Sequence, residues 1–295
     1  MRQPIFVTTP TGNIGSKIVA DLIGRGETVH VLARDPSKLP PGVRDAVTVH
    51  VGDLLDAAFV MKASEGASAL FWLTPPMWTA PDVRAMYEQS ARTAQAVVTA
   101  NRIPYVVNLS SSGAQNDGYG PITFLRLIED ALNATAANVI HLRPGFFFEN
   151  FAAQIDPIKN ASAIFMPLSP EARMPMVATE DIARVAAELL TARNFAGKTY
   201  RGVHGPADLS FAEVASVIGA AVGKEVRYIQ TTPEQAHETF LQMGASADFA
   251  GLYVEMFDAL SNRGQSNAEP RSPETMTPNT LRDWAEKAIK PAITG

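Results

Sequence analysis

Ile5-Phe6-Val7-Thr8-Thr9-Pro10-Thr11-Gly12-Asn13-Ile14-Gly15-Ser16 opens the chain with a short apolar run that breaks into a glycine-punctuated turn. Ile18, Val19, Leu22 and Ile23 then recur at helical spacing, and Gly26 supplies a stop. A strand that turns tightly into a helix lets backbone N–H groups and the positive end of the helix meet a pyrophosphate. Gly12 permits close backbone approach and Gly15 close helix–strand packing, while Thr9 stands where the first glycine of such turns is usual. Thr9, Thr11, Gly12, Asn13, Ile14 and Gly15 are therefore the expected cradle of a dinucleotide.

Outward from this turn, β-branched or apolar runs at 28–33, 47–51, 67–73, 105–109 and 139–142 read as strands, with helical patterns at 82–100 and 123–135 between the later ones. Strands buried on both faces and alternating with helices predict a doubly wound parallel α/β sheet with right-handed crossovers. After Arg143-Pro144-Gly145 the rhythm changes. Residues 157–175, rich in Pro and Met, read as irregular; 179–192 reads as a helix capped by Thr179. A strand at 198–203 precedes a helix at 210–222 whose Ser210 and Glu213 form a capping box. A short strand at 226–229, helices at 233–243 and 247–260, a loop at 261–273 and a helix at 280–289 complete the pattern. The expected division is a dinucleotide-binding domain at 1–150 and a small α+β substrate lobe at 151–295. The lobe is partly interleaved with the first domain and packs over the carboxyl edge of its sheet.

Composition narrows the function. In 295 residues, 46% apolar and 19% charged content excludes a disordered chain, a collagen or a coiled-coil rod. Thirty acidic against 25 basic residues leave −5, with no basic footprint for nucleic acid. Zero cysteines exclude disulfides, thiolate metal sites and a thiol nucleophile. His30, His50 and His141 fall in strands, and His204 and His237 lack partners at ligand spacing, so no metal site is expected. No apolar run is long enough to cross a bilayer, and residues 1–7 are too short for a signal-peptide core, so a cytoplasmic location is expected.

Arg34 follows the second strand, about twenty residues after the glycines. An acidic residue there would bind a ribose 2′-hydroxyl, whereas an arginine accommodates a 2′-phosphate; Lys38 adds charge. NADP(H) is thus favoured over NAD(H), although the adjacent Asp35 blurs the signal. Asp53 and Leu54 end the third strand, where the carboxylate either meets the adenine or caps a helix. Thr74 and Pro75 end the fourth strand, near the expected nicotinamide ribose, and Ser110 ends the fifth. Trp78, Phe146, Phe147 and Phe148 are the candidate lining of a planar apolar substrate pocket, with core packing as the competing role; Trp72, Met77, Met166, Met174 and Met176 lie nearby in sequence.

The turn Thr9–Gly15, Leu32-Ala33-Arg34-Asp35-Pro36, Val51-Gly52-Asp53-Leu54, Asn108-Leu109-Ser110-Ser111-Ser112-Gly113, Ile128-Glu129-Asp130-Ala131-Leu132 and Leu142-Arg143-Pro144-Gly145-Phe146-Phe147-Phe148-Glu149-Asn150 occur in a specific order. Together with Thr179-Glu180-Asp181-Ile182-Ala183 and Gly205-Pro206-Ala207-Asp208-Leu209-Ser210-Phe211, they resemble the NmrA-like branch of the atypical short-chain dehydrogenase/reductases over essentially the whole chain. The resemblance implies a Rossmann fold with a small C-terminal substrate lobe. It implies either an NAD(P)H-dependent quinone, azo-dye, imine or enone reductase, or a non-catalytic redox sensor that acts through a protein partner.

The catalytic apparatus departs from the ordinary short-chain pattern, in which a Tyr-x-x-x-Lys pair protonates the carbonyl oxygen. Tyr119 follows the serine run, but Thr123 stands four residues on, and no lysine occurs between Lys62 and Lys159. Members of the branch often carry Lys or His one turn before the glutamate matched by Glu129; here Leu125 and Arg126 stand there. A sugar-nucleotide epimerase or dehydratase, which needs the pair, is disfavoured. The expected function is a cytoplasmic NADPH-dependent reductase of an aromatic or conjugated small molecule, working as a monomer or homodimer. Tyr119 and Ser111 are its candidate proton donors, with water as the alternative; the non-catalytic regulator remains the second reading.

Overall fold

Side chains alternate along the opening strand. Ile5 and Val7 enter one core and Phe6 another, all fully buried, so a parallel sheet must be covered on both faces. The computed structural model describes residues 3–264 and 269–294. Its first half runs β1 (Ile5–Thr8), α1 (Gly15–Gly24), β2 (Val29–Ala33), α2 (Pro41–Ala46), β3 (Thr48–Val51) and α3 (Ala57–Ala63). It continues through β4 (Ala69–Leu73), α4 (Val83–Asn101), β5 (Tyr105–Leu109), α5 (Pro121–Asn133) and β6 (Asn138–Pro144). The second half contains β7 (Phe146–Phe147), α6 (Ile155–Ala161), β8 (Ala163–Met166), β9 (Arg173–Val177), α7 (Thr179–Ala192) and β10 (Lys198–Val203). After these come β11 (Asp208–Ser210), α8 (Phe211–Val222), β12 (Arg227–Gln230), α9 (Pro233–Gln242), α10 (Ala247–Arg263), α11 (Leu281–Ala288) and α12 (Lys290–Thr294).

A seven-stranded sheet in the order β10-β6-β5-β4-β1-β2-β3 is parallel throughout. Its order reverses between β1 and β4, the switch point at which such sheets open a crevice beyond their carboxyl ends. Thr8 stitches that point together: its hydroxyl donates to Phe71 O (3.1 Å) and accepts from Leu73 N (3.0 Å). Ile18 and Val19 of α1 and Ile182 and Ala186 of α7 cover one face; Ala94 and Val97 of α4 and Ile128 of α5 cover the other. A third core joins Phe146, Phe151, Met174 and Met176 to Phe211 and Ile218 of α8. The small sheets β11-β9-β7 and β12-β8 carry this lobe. No helix among the described residues is long and apolar enough to cross a membrane.

Several local readings change. Residues 157–175 are not irregular: they contain α6, β8 and β9. Pro157 sits in the first turn of α6, where a missing N–H costs nothing, and Pro175 sits in a ladder only three residues long. Thr179 does not cap α7. It is the first helical residue after Ala178, and its hydroxyl donates to Glu149 Oε1 (2.6 Å). The loop expected at 261–273 begins later because α10 runs to Arg263; residues 265–268 lie outside the described residues. The Ser210–Glu213 capping box is present.

Arg143, near the end of β6, is buried with both carboxylate oxygens of Glu129 (2.9 and 2.6 Å) and with Glu269 (2.7 Å), and its guanidinium covers the Tyr200 ring. Nearby His141 is also buried, within hydrogen-bond reach of Asn108 through Nδ1 and of Asn133 through Nε2, both at 3.0 Å. Burial lowers the His141 pKa to about 4, so the ring stays neutral in the fold but protonates in the unfolded chain near the ordinary histidine value. Stability is then complete above roughly pH 6.5 and falls as pH drops toward 4, by about 3 kcal/mol from this residue. The urea midpoint should fall between neutral and mildly acidic buffer, and His141→Gln should flatten that slope. His30 and His50, also lowered by burial, add a loss of the same sign.

A second prediction concerns the opening turn. A Cβ on Gly15 would lie 2.1 Å from Thr9 O, inside backbone, whereas one on Gly12 would lie 3.6 Å from the same atom. Gly15→Ala should cost about 1–3 kcal/mol or more in urea unfolding, as overpacking does, and Gly12→Ala should leave the midpoint nearly unchanged.

Candidate functional site

Thr9 takes the conformation its position demands despite its side chain. Its φ is +52°, the left-handed region that a β-branched residue occupies only under strain. This bend brings Thr9 O against Gly15 and delivers the chain into α1. The N-terminus of α1 has no side-chain cap and no acidic residue in its first turn, so its positive end is left for an anion. Beside it, Lys17 Nζ donates to Asn13 O (2.7 Å) and Thr179 Oγ1 (3.0 Å). Glu149 accepts from the Thr179 hydroxyl and amide, completing a bridge from α1 to α7.

A cavity of about 460 Å³ lies at the carboxyl edge of the sheet. Thr9, Gly12, Asn13, Ile14 and Gly15 line it from the turn; Thr74 and Pro75 line it from the end of β4, and Ser110 and Ser111 from the end of β5. Phe146 and Phe147 add aromatic surface. The expected residues from four distant parts of the chain thus meet in one space. Thr9 Oγ1 and Ser110 Oγ are buried there with no hydrogen-bond partner. Unpartnered buried hydroxyls are costly, and a polar ligand in the cavity would satisfy them. A dinucleotide fits these features: an uncapped helix end for its diphosphate, orphaned hydroxyls for its polar edges, and a turn whose Gly12 and Gly15 line the cavity.

Other expected residues lie elsewhere. Thr11 is exposed on the turn and does not line the cavity. Arg34 and Lys38 are exposed beyond the end of β2; Arg34 makes no ion pair or side-chain hydrogen bond among the described residues. The Asp35 carboxylate accepts from the Ser37 amide (3.0 Å) and hydroxyl (2.6 Å). Asp53 accepts from Leu55 N (2.8 Å) in a tight turn, and Leu54 is buried in the core against α4.

Tyr119 does not line the cavity. Its hydroxyl donates to Gly264 O (2.8 Å) and Arg263 covers its ring, so its donor is already used. Ser111 does line the cavity, with its hydroxyl directed to Ser112 O (3.2 Å). Trp78 stacks on Phe249 at 4.9 Å, outside the lining. Phe148 is buried in the C-terminal lobe beside Trp284 and borders a different hollow with Met176 and Leu281. Trp72 is wholly buried, its indole N–H donating to Thr74 Oγ1 (3.2 Å). Met166, Met174 and Met176 are lobe core.

The sequence reading missed one wall of the cavity. Tyr87 of α4, Ile122 and Leu125 of α5, and Tyr253, Met256 and Leu260 of α10 form it. Spacings of three, four and seven along α10 place its three residues on one face. Gly120 makes this wall possible: its φ is +51° and a Cβ there would meet Leu252 O at 2.1 Å, so α10 lies directly on the start of α5. Asp248 Oδ2 accepts from Val83 N (2.8 Å) and sets α10 against α4.

With this geometry in view, the likenesses to known proteins fall into place. The description of the NmrA-like family matches residues 1–285. An NAD(P)H azoreductase of Xenophilus azovorans is 29% identical over 256 residues, 86% of this chain and 86% of that one. The NADPH-dependent quinone oxidoreductase of Escherichia coli, crystallised with NADPH, superposes with a TM-score of 0.79 at 17% identity, covering 96% of this chain and 99% of that one. The triphenylmethane reductase of a Citrobacter species, crystallised with NADP(H), gives 0.79 at 19% identity, covering 97% and 100%. At these identities the two structures speak for the fold. The match along nearly the whole length, on the turn, strand ends and lobe just described, shows that the chain belongs to the NmrA-like family.

Proposed function

We propose that this protein is an NADPH-dependent reductase that transfers hydride to a planar, conjugated small molecule of quinone, azo or imine type. The observation that carries this reading is the composition of one cavity. It joins an uncapped helix end and two orphaned hydroxyls to a wall of Tyr, Phe, Met, Leu and Ile side chains. The azoreductase relative, named for NAD(P)H and azo chemistry, supports an oxidoreductase with this cofactor class.

Residues Gly12–Gly15 and the N-terminus of α1 would hold the diphosphate, with Thr9 and Ser110 offering hydroxyls to the bound molecule. When bound, the dinucleotide supplies a hydride donor. The chain orients the acceptor flat between Phe146 and the α10 face and excludes water there with apolar side chains. In this reading residues 1–150 hold mainly the dinucleotide, and the lobe drawn from 151–295 holds mainly the acceptor. Zero cysteines and a nicotinamide reductant favour the cytoplasm as the place of work.

Arg34 and Lys38, both exposed beyond the end of β2, suit a 2′-phosphate. Arg34→Gln should weaken NADPH binding about tenfold, while NADH binding changes less than about twofold, measured by calorimetry. Loss of nicotinamide absorbance with a panel of quinones, azo dyes and cyclic imines tests the reaction. Turnover with members of the panel is expected. Tight NADP+ binding with no turnover on any acceptor would overturn the catalytic reading in favour of a redox-sensing regulator.

A further inference from the structure

Reduction of a quinone or azo group needs a proton as well as a hydride. The sequence points to Tyr119 for that proton, yet Tyr119 spends its hydroxyl on Gly264. Two other tyrosines line the cavity, Tyr87 from α4 and Tyr253 from α10. Neither hydroxyl has a hydrogen-bond partner among the described residues, in contrast to Tyr119 and Tyr228, whose hydroxyls donate to main-chain carbonyls. The Asp248–Val83 hydrogen bond and the contact of Gly120 with Leu252 fix α10 against α4 and α5, bringing the two phenols together. Tyr253 is further held by stacking on Phe249 at 4.1 Å. Burial pushes the Tyr253 phenol up to about 12 and the Tyr87 phenol higher still, the latter also through its neighbour Tyr253. Both phenols keep their proton at neutral pH, as an unperturbed tyrosine does, and their unpartnered place in the cavity lining makes them the available donors.

Resting on the reductase reading above, we infer that Tyr87 and Tyr253 form the proton-donating pair of this site, facing the acceptor atom on which negative charge develops. When the acceptor takes hydride at one end of its conjugated system, the π bond shifts and an electron pair collects on the far oxygen or nitrogen. The phenol O–H breaks and a new O–H or N–H forms on that atom. Water at the cavity mouth then returns a proton to the phenolate. The net change is one hydride and one solvent proton added across the acceptor.

The chemistry supplies its own control. A cationic triarylmethane dye is neutralised by hydride alone and needs no proton, whereas a quinone needs both. Turnover of the two acceptors is compared in wild type, Tyr87→Phe, Tyr253→Phe and the double variant, with NADPH affinity and melting temperature measured alongside. The ratio of quinone to dye turnover should fall about tenfold to a hundredfold in at least one single variant and in the double variant. In wild type, a solvent deuterium isotope effect should appear with the quinone and be absent with the dye. A ratio unchanged in the double variant, or equal losses on both acceptors, would overturn the proposal and leave the pair a packing role. Failure of wild type to oxidise NADPH with either acceptor would instead overturn the reductase reading on which the proposal rests.

Discussion

The contact between Thr9 O and the bare α-carbon of Gly15 is the constraint from which the rest of the site follows. It forces the chain through a left-handed residue immediately after β1 and starts α1 directly over the switch point. Thr8, one residue earlier, locks β1 to β4 through a hydroxyl that donates to Phe71 O and accepts from Leu73 N, both in β4. Helix end, strand ends and orphaned hydroxyls then converge without any long loop to place them. A threonine at φ +52° costs about 1–3 kcal/mol of backbone strain. The buried flanks of β1 and α1 hold it there.

The two halves of the cavity solve different problems. Its polar side consists of backbone and small hydroxyls at the ends of strands, which the sheet fixes rigidly. Its apolar side comes from α4, α5 and α10; α10 is set in place by the Asp248–Val83 hydrogen bond, the close approach of Gly120, and hydrogen bonds of Ser261 and Arg263 to Ser169 and Asp117. Behind both, Arg143 joins α5 and β6 to Glu269 in a buried cluster of three charges. Such clusters contribute little net stability, because desolvation offsets their attraction, but removing one member leaves a charge buried alone. Here the cluster ties the segment following α10 to the central sheet.

Much of this was legible in the sequence, for physical reasons. Parallel strands covered on both faces show as continuous apolar runs, so β1, β2, β4, β5 and β6 stand out, and the glycine turn marks their order. The capping box at Ser210 is a local motif and reads directly. Elements α6, β8 and β9 were hidden because they are short and contain Pro157 and Pro175, residues that break patterns except at first turns and in short ladders. Of the positions named from the sequence, Thr9, Gly12, Gly15, Thr74, Pro75 and Ser110 line the cavity, whereas Thr11, Trp78 and Tyr119 do not. Tyr87 falls on the buried stripe of α4 and looks like core, since periodicity reports burial but not whether a hydroxyl ends in protein or in a cavity. Tyr119 misled for the converse reason: its acceptor, Gly264, lies 145 residues away and belongs to no local pattern.

The course of the chain through the large sheet also bears on how the protein is made. Strand β10 lies beside β6, yet it is synthesised after the whole of β7, α6, β8, β9 and α7. On the ribosome, the edge of β6 therefore stays bare until residue 203 has left the exit tunnel, and the opening 150 residues cannot mature as a finished nascent domain. An uncovered parallel edge of apolar residues is a template for unwanted pairing. The vulnerable interval in the life of this protein is thus the stretch of translation between β6 and β10, when chaperone protection of that edge matters most.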